Sequence, residues 1–356
     1  MHALVDKASS VLVLALVLLV TGAAIGGPSV AGAASASATG TADPGLTLTA
    51  TPGIVSGGHA ATLAVHMAVP GATLQLSRRY VGESEFTLLR SVTTDNYGDL
   101  SWAAWPRSGA MYKVEFAGTP EWAPAYAEAR VDVRPKVTLT TFADGTVFTG
   151  GRVTVRVQVA PGRPGGVVEV KRWDSAAGTW VVLRSLTLDG ASKARWVWRP
   201  SQAGWQKLRA RIAADADHVA GVSSARRLEV FDASSNPYGV PSKYPHLILV
   251  DISRYKLYYY ERGRVVRVFD CVLGRPSLPT PRGHYRIYAK DAHMYGPYGP
   301  RRMRYLGAYA IHGTNEPWLL SRDPRNYSHG CTRLSNSHIL WLFHRVHIGT
   351  PVWNVP

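Results

Sequence analysis

The sequence predicts a mainly β protein with two immunoglobulin-like β-sandwiches, followed by a mostly-β third domain that holds one or more short helices. Two observations support this prediction. A segment of about ninety residues occurs twice in tandem. Within each copy, short runs alternate apolar and polar residues between Pro- and Gly-containing turns, a pattern typical of half-buried antiparallel strands. The 356 residues suffice for two or three domains of ordinary size.

The first 38 residues have the layout of an export signal. Lys7 precedes an unbroken apolar run from Val11 to Val20, and a stretch of small residues follows at 31–38. The run is shorter than the roughly 20 residues that span a bilayer, but residues 21–27 extend it. We therefore expect a signal peptide or N-terminal membrane anchor at 1–38, and a protein that is secreted or held at the cell surface, in the cell wall.

The net charge narrows the class of partner. Forty Lys and Arg residues against 24 Asp and Glu give a formal charge of +16, which attracts polyanions. Export and the spread of basic residues along the whole chain argue against nucleic acid as a partner. An anionic cell envelope is the partner that this charge favours.

The repeat places the two sandwiches at 44–134 and 135–232, joined to the third domain by a Pro/Gly/Ser linker at 233–243. Neither copy carries a Cys pair or a shared cluster of reactive side chains, so we expect them to act as spacers or wall-binding modules. The matching segments are Leu46–Thr51 with Val137–Phe142, Leu88–Val92 with Val182–Leu186, and Trp102–Pro106 with Trp196–Pro200.

The third domain covers 244–356 and is predicted to contain several strands and one helix. Ser335–His338 has the composition of a helix N-cap region, and the helix is expected over Ile339–Val346, with Gly349 marking its end. The predicted strands are His246–Asp251, Lys256–Tyr260, Val265–Phe269 and Pro351–Val355.

The reactive side chains of this domain indicate nucleophilic catalysis by a cysteine. Cys331 follows His329 and Gly330, and His312 lies upstream. A thiol with a pKa near 8.5 needs a neighbouring His to take its proton, so a Cys–His pair supplies part of this chemistry. Gly330 permits a sharp turn, which lets the amides of Gly330 and Cys331 point at one oxygen and stabilise an oxyanion.

Two alternatives to catalysis remain open at this level. The only other cysteine, Cys271, can form a disulfide with Cys331 in an oxidising compartment. A zinc site from His312, His329 and Cys331 has suitable residue types but lacks closely spaced Cys pairs. The histidines beside Cys331 favour catalysis over both alternatives, and we predict no metal site.

With its motif, the third domain resembles the L,D-transpeptidases with a YkuD-type catalytic domain. Their signature is a His, about fifteen residues, then Ser/Thr-His-Gly-Cys followed by Arg or Asn. Here fifteen residues, 313–327, separate His312 from Ser328-His-Gly-Cys331, and Arg333 follows. The resemblance extends over 244–356, and tandem immunoglobulin-like domains ahead of the catalytic domain are similar to actinobacterial members.

The resemblance implies acyl transfer on peptidoglycan stem peptides without a cofactor. Cys331 would attack the carbonyl of the third, L-centre residue of a tetrapeptide stem, expel D-Ala and form a thioester. An amine of a neighbouring stem would then complete a 3→3 cross-link, and carbapenems would acylate the same thiol. Alternatives are a same-fold L,D-carboxypeptidase, an enzyme that attaches proteins to the wall, or a non-catalytic wall-binding protein.

The resemblance also implies roles for single residues. His312 would be the base, oriented by the Gly313 carbonyl, with His329 and Ser328 as supporting polar groups. The amides of Gly330 and Cys331 would form the oxyanion hole. Expected substrate contacts are Arg333, Gly313, Thr314, Tyr295 and Tyr298, the two tyrosines on a flap at 292–300, with Tyr305 as a further candidate for the channel wall. Arg333 would fix the loop or contact a substrate carboxylate.

Overall fold

The computed structural model of the protein describes residues 34–35 and 42–356, which are mainly β with one α-helix. It forms two compact units, one up to Arg134 together with Ala216–His218, and the other of Pro135–Asp215 and Val219–Pro356. The predicted signal or anchor at 1–38 lies outside the described residues, apart from 34–35. Within the described residues, no helix has the length and hydrophobicity needed to cross a membrane.

The first unit consists of two sheets around one hydrophobic core. Strand β4 alternates buried and exposed residues, so its apolar side chains point into the core and its polar ones to solvent. The sheets are β2-β4-β7 and β1-β9-β8-β5-β6, with β3 parallel to β9. The strands are β1 Ala34–Ser35, β2 Thr47–Thr51, β3 Ile54–Ser56, β4 Ala61–His66, β5 Thr73–Tyr80, β6 Thr87–Thr93, β7 Asp99–Ala104, β8 Ala110–Phe116 and β9 Ala125–Arg134.

The second copy of the repeat has the same order of paired strands, except that β1 of the first copy and β17 of the second have no counterpart. Its sheets are β10-β12-β15 and β11-β18-β16-β13-β14, with β17 on β16. The register shift between Leu76 and Ser77 in β5 recurs between Val170 and Lys171 in β13. The strands are β10 Lys136–Phe142, β11 Val147–Phe148, β12 Val153–Ala160, β13 Val167–Asp174, β14 Thr179–Thr187, β15 Lys193–Trp198, β16 Gly204–Ile212, β17 Gly221–Val222 and β18 Arg226–Phe231.

The rest of the chain forms two sheets and the α-helix. The sheets are β21-β20-β19-β27-β22 and β23-β24-β25-β26, and α1 contributes Ile339 and Leu342 to a core shared with both sheets. The elements are β19 Leu247–Asp251, β20 Lys256–Glu261, β21 Arg264–Asp270, β22 Gly283–Arg286, β23 Ala289–Ala292, β24 Arg301–Leu306, β25 Tyr309–His312, β26 Thr332–Arg333, α1 Asn336–Phe343, β27 Pro351–Val355, and 3₁₀ turns at Gly296–Tyr298 and Pro317–Ser321.

The predicted N-cap region is confirmed, but the helix occupies Asn336–Phe343, whereas Ile339–Val346 was expected. The Ser335 side chain caps α1 by accepting a hydrogen bond from the His338 N–H. The helix ends at Phe343, and Val346 is buried in the core just beyond it. Hydrophobic periodicity continued past the last helical residue because the following turn also buries an apolar side chain. The sequence did not predict strands β23 to β26, of which β23, β25 and β26 have at most four residues.

The edge of the β19–β27 sheet is covered by the second copy of the repeat. The Thr146 hydroxyl donates to the Val268 carbonyl at 3.0 Å and accepts from the Val268 N–H at 2.7 Å. Nearby, Lys256 Nζ lies 2.6 Å from Glu229 Oε2. One side chain thus satisfies both backbone groups of a residue on edge strand β21, which would otherwise be open to another strand.

The Thr146→Val variant tests this contact. Valine has nearly the same shape but leaves the Val268 N–H and C=O without their partner, so the free energy of unfolding should fall by about 1–3 kcal/mol. Urea denaturation measures this change, and amide exchange at Val268 should accelerate. Thr179→Val, an exposed strand position, is the matched control. An equal effect in both variants would contradict the assigned role.

Candidate active site

The parallel pairing of β25 with β26 brings the predicted reactive residues together. Ile311 pairs with Thr332, and His312 pairs with Arg333. Cys331 directly precedes β26, one residue before Thr332. Paired residues share a face of the sheet, so Arg333 lies on the same face as His312. His312 and Cys331 both interact with the charges of Arg333 and Arg302, which puts Cys331 on this face as well. Two segments that are distant in sequence therefore form one site.

The His312 ring is buried and held in one tautomer. It is 2 % exposed, and Nδ1 lies 2.6 Å from the Gly313 carbonyl oxygen. A carbonyl only accepts, so Nδ1 carries the proton and Nε2 remains an acceptor. Burial lowers the pKa of His312 to about 4, and the charges of Arg333 and Arg302 act in the same direction. The ring is therefore neutral at pH 7, and the expected orientation by Gly313 is confirmed.

The Cys331 thiol is partly exposed and protonated at neutral pH. Burial raises its pKa, although a backbone hydrogen bond at Ala310 and the charges of Arg333 and Arg302 oppose the shift. Its Sγ donates to the Ala308 carbonyl at 3.8 Å. The sulfur needs a base to become a thiolate, and a neutral imidazole on the same sheet face can supply one.

The described residues contain neither the Cys271–Cys331 disulfide nor the zinc site that the sequence left open. Cys271 and Cys331 are both free, and Cys271 is fully buried, so the disulfide is not formed. His312, His329 and Cys331 do not form a cluster with metal-binding geometry, and residues 42–356 contain no other group of three such ligands.

Ser328 holds the loop that carries Cys331. Its buried hydroxyl accepts from the Gly330 N–H at 3.1 Å and donates to the Cys331 carbonyl at 2.6 Å. The resemblance assigns the Gly330 N–H to an oxyanion hole, but in the structure this donor is bonded to Ser328. His329 lies on the same loop and is exposed. Ser328 thus has a positioning role that its place in the motif did not reveal.

The residue before Cys331 has to be a glycine. Gly330 has a φ of +104°, a conformation that L side chains rarely adopt. A Cβ atom there would lie 2.4 Å from Cε1 of Tyr309. Backbone conformation and close packing both exclude a side chain at this position.

Arg333 anchors the segment after His312. Its Nη1 lies 2.6 Å from Glu316 Oε2, and the Glu316 N–H donates to Thr314 Oγ1 at 2.9 Å. The Thr314 N–H donates to Asn336 Oδ1 at 3.0 Å. This ion pair fits the loop-fixing role of Arg333. Gly313 and Thr314 are both buried, and the Gly313 carbonyl accepts the hydrogen bond from His312. Their contact with substrate stays a prediction.

The flap contributes one tyrosine that contacts the site. The Tyr298 ring meets His312 edge to face, with centroids 5.1 Å apart, and the Arg302 guanidinium lies 4.7 Å above the Tyr298 ring. Tyr295 is 80 % exposed. Tyr305 is buried and accepts a hydrogen bond from Asn354.

Three residues of this arrangement were not predicted from the sequence: Arg302, Glu316 and Asn336. Glu316 is an acidic residue within the fifteen-residue interval, and that is the one signal that could have identified it. Arg302 and Asn336 lie outside the motif. The place of Arg302 in the site becomes visible only in the structure, where Arg302 on β24 pairs with His312 on β25.

Comparison with known proteins identifies the family. The family model for the L,D-transpeptidase catalytic domain, YkuD, matches residues 245–353. The protein named L,D-transpeptidase YkuD in Bacillus licheniformis is 33% identical over 117 residues, which are 33% of this chain and 69% of that protein. The chain belongs to the L,D-transpeptidase family. It is therefore an enzyme of the L,D-transpeptidase type.

Other L,D-transpeptidases match over a smaller share of their length. L,D-transpeptidase 1 of Mycobacterium tuberculosis is 28% identical over 123 residues, and the match spans 29% of this chain and 48% of that enzyme. A crystal structure of an Enterococcus faecium L,D-transpeptidase mutant is 26% identical, with 31% of this chain and 50% of that chain covered and a TM-score of 0.27. The chain thus spans about half the length of both proteins.

Substitution of Gly330 should be costly for this L,D-transpeptidase. Gly330→Ala combines an unfavourable φ with a clash against Tyr309, so we expect the free energy of unfolding to fall by about 2–5 kcal/mol. Gly349→Ala is the control, because Gly349 has a φ of +91° but no atom within 4 Å of its Cβ position. It should lose only about 1–2 kcal/mol. Urea denaturation measures the free energy of unfolding of both variants. Equal losses would mean that the Tyr309 side chain moves aside with no energetic penalty, and would contradict the expected clash.

Acid should destabilise the enzyme through His312. The pKa of this His is lowered from 6.5 to about 4 on folding. Between these pH values the unfolded chain binds more protons, so stability rises with pH across this window and is lost as pH falls. From pH 7 to 4, the wild type should lose up to about 3 kcal/mol more than His312→Gln. Denaturation curves at each pH measure the difference, and parallel losses would contradict a neutral buried His312.

Proposed function

We propose that this L,D-transpeptidase forms 3→3 cross-links in peptidoglycan through a thioester on Cys331. Family membership supports a cross-linking transpeptidase that acts on peptidoglycan, and with it an extracytoplasmic or cell-wall role. The observation that carries the proposal is a neutral, oriented His312 on the same sheet face as a partly exposed thiol.

In the acylation step, the Cys331 proton moves to Nε2 of His312 and the sulfur attacks the carbonyl of the third, L-centre residue of a tetrapeptide stem. The tetrahedral intermediate collapses, the C–N bond to the terminal D-Ala breaks, and the imidazolium returns its proton to the leaving amine. A thioester and free D-Ala result. The Gly313 carbonyl stabilises the imidazolium, because it accepts from Nδ1–H in both protonation states.

The developing oxyanion needs donors near the sulfur. Because the Gly330 N–H is bonded to Ser328, we assign the Cys331 N–H as the donor from this loop. The two hydrogen bonds of the Ser328 hydroxyl then hold the loop in place while negative charge develops on the substrate oxygen. Arg333, paired with Glu316, keeps the His312 segment positioned, and its charge together with that of Arg302 favours the thiolate.

In the second step, an amine of a neighbouring stem, most simply that of a diamino acid, attacks the thioester. His312 takes the amine proton and returns it to the sulfur, so the thiol is regenerated. If water reaches the thioester first, the enzyme acts as an L,D-carboxypeptidase, and a protein amine would give wall attachment. The Tyr298 ring on His312 supports exclusion of water, and therefore transfer to an amine.

The remainder of the chain fits a wall enzyme. We propose that residues 1–38 export or anchor the protein and that the sandwiches at 44–134 and 135–232, of immunoglobulin-like type, carry the catalytic domain at 244–356 through the linker at 233–243. His329, exposed beside the nucleophile, and Tyr295, exposed on the flap, are the side chains we propose to contact the stem from solvent.

Mass spectrometry of the intact protein tests the covalent step. After incubation with a carbapenem, or with a tetrapeptide stem alone, the wild type and Cys271→Ala should each gain one adduct, and Cys331→Ala none. A diamino acceptor is then added, and its amine should resolve the stem thioester. The wild type should also yield the cross-linked product. An adduct or product from Cys331→Ala would overturn the assignment of the nucleophile, and trimmed stem without cross-link would favour the carboxypeptidase.

A further inference from the structure

The outer face of β10-β12-β15 forms a groove of about 660 Å³ that the proposed catalysis does not use. Three exposed cations line it, Arg156 on β12 and Lys193 and Arg195 on β15. The groove is also lined by Val157 and Ala194 and by the polar and aromatic residues Thr138, Thr140, Phe142, Gln158, Thr187 and Asp189.

The strand register arranges these residues in two rows across the sheet. One row contains Thr140, Arg156 and Arg195, which pair directly. The neighbouring row, two residues along the strands, contains Thr138, Gln158 and Lys193. Adjacent strands are about 4.8 Å apart and alternate residues along a strand about 6.6 Å apart. Arg156 and Arg195 therefore lie on directly paired positions, with Lys193 in the next row, so the three cations form one cluster on this face.

This arrangement is unfavourable without an anion. Arg156 and Arg195 are directly opposite each other on neighbouring strands, and like charges at such positions destabilise a sheet. The ion pairs described in this sandwich use other cations, Arg163, Lys171 and Arg211. The Asp189 carboxylate at the rim accepts hydrogen bonds from two backbone N–H groups of its own turn.

One arginine of the groove is held in position by an aromatic ring. The Arg156 guanidinium lies 4.7 Å above the ring of Phe142, which is 51 % exposed. The stack lowers the entropy that the guanidinium would lose on binding, and it presents the planar donor fork to solvent. Arginine forks match phosphate and carboxylate groups, and the Thr and Gln side chains can bond hydroxyls.

The first copy of the repeat supplies an internal comparison. On its equivalent sheet, the row of Thr140, Arg156 and Arg195 is replaced by Thr49, Ala64 and Ser101. The row with Lys193 is replaced by Thr47, His66 and Asp99, and His66 Nδ1 lies 2.7 Å from the Asp99 carboxylate. A sheet of this type therefore does not need the three cations in order to form, because β2-β4-β7 has the same strand pairing without them.

From this comparison and the geometry of the groove, we propose that the outer face of β10-β12-β15 binds a linear, hydroxyl-rich anionic polymer of the cell envelope. Oxyanion groups of the polymer would pair with Arg156, Arg195 and Lys193, and its hydroxyls would bond the Thr and Gln side chains. The site would hold the enzyme on the wall independently of Cys331. The bound groups are phosphodiesters or carboxylates, and the choice of probe distinguishes them.

The test measures binding of the full chain to poly(glycerol phosphate) and to polygalacturonate, with dextran as a neutral polymer. The triple variant Arg156→Ala/Lys193→Ala/Arg195→Ser loses three charged contacts. It should bind the anionic polymer that the wild type prefers at least about tenfold more weakly than the wild type does. The slope of log affinity against log salt should decrease by about 2, at roughly 0.7 per cation. The better of the two anionic probes identifies the oxyanion.

A matched variant separates the site from net charge. Arg90→Ala/Arg184→Ala/Arg227→Ala removes three exposed arginines outside the groove, and it should bind like the wild type. Equal weakening of the two triple variants, or no binding of either anionic polymer, would overturn the proposal. So would tighter binding of single-stranded DNA of equal charge. Cys331→Ala should bind normally, so failure of the catalytic proposal leaves this test intact.

Discussion

The two-residue parallel pairing of β25 with β26 is the constraint on which the catalytic site depends. It joins a strand that ends in His312 to the short segment after Cys331, and it sets both on one face. The pairing is too short to be stable alone, so neighbouring contacts have to hold it. The Leu334 N–H donates to the His312 carbonyl, and Arg333 exchanges both backbone hydrogen bonds with Val272. Through these bonds the pairing extends into the core beneath the site.

The side chains around the pairing act mainly on position and charge. Ser328 holds the nucleophile loop, Gly330 allows it to pass beneath Tyr309, and Arg333 ties the His312 segment to Glu316. Burial keeps the imidazole neutral and the thiol protonated, so the resting site holds no unpaired charge at its centre. Charge appears only when substrate provides an electrophile, and the oriented groups then require little rearrangement.

The two sandwiches show how a repeat can keep its fold and change its surface. Both copies keep the inward apolar positions, the order of strands and even the register shift in the second sheet. The outward positions are free of packing constraints, and there the copies differ in charge. The second copy also contacts the third domain, because the Thr146 hydroxyl bonds both backbone groups of Val268 on edge strand β21.

The sequence alone determined the repeat, the alternating strands, the Ser335 cap and the local motif around Cys331, because each depends on residues that are close along the chain. The hydrogen bond from His312 to Gly313 was implied by the family resemblance, and the structure contains it. Only the tertiary structure decided that the Gly330 N–H bonds to Ser328, that Tyr298 contacts His312 while Tyr305 is buried, and that Glu316 and Asn336 position the base segment. These outcomes depend on neighbours from other strands, and no local pattern records which side chains a sheet register will bring together.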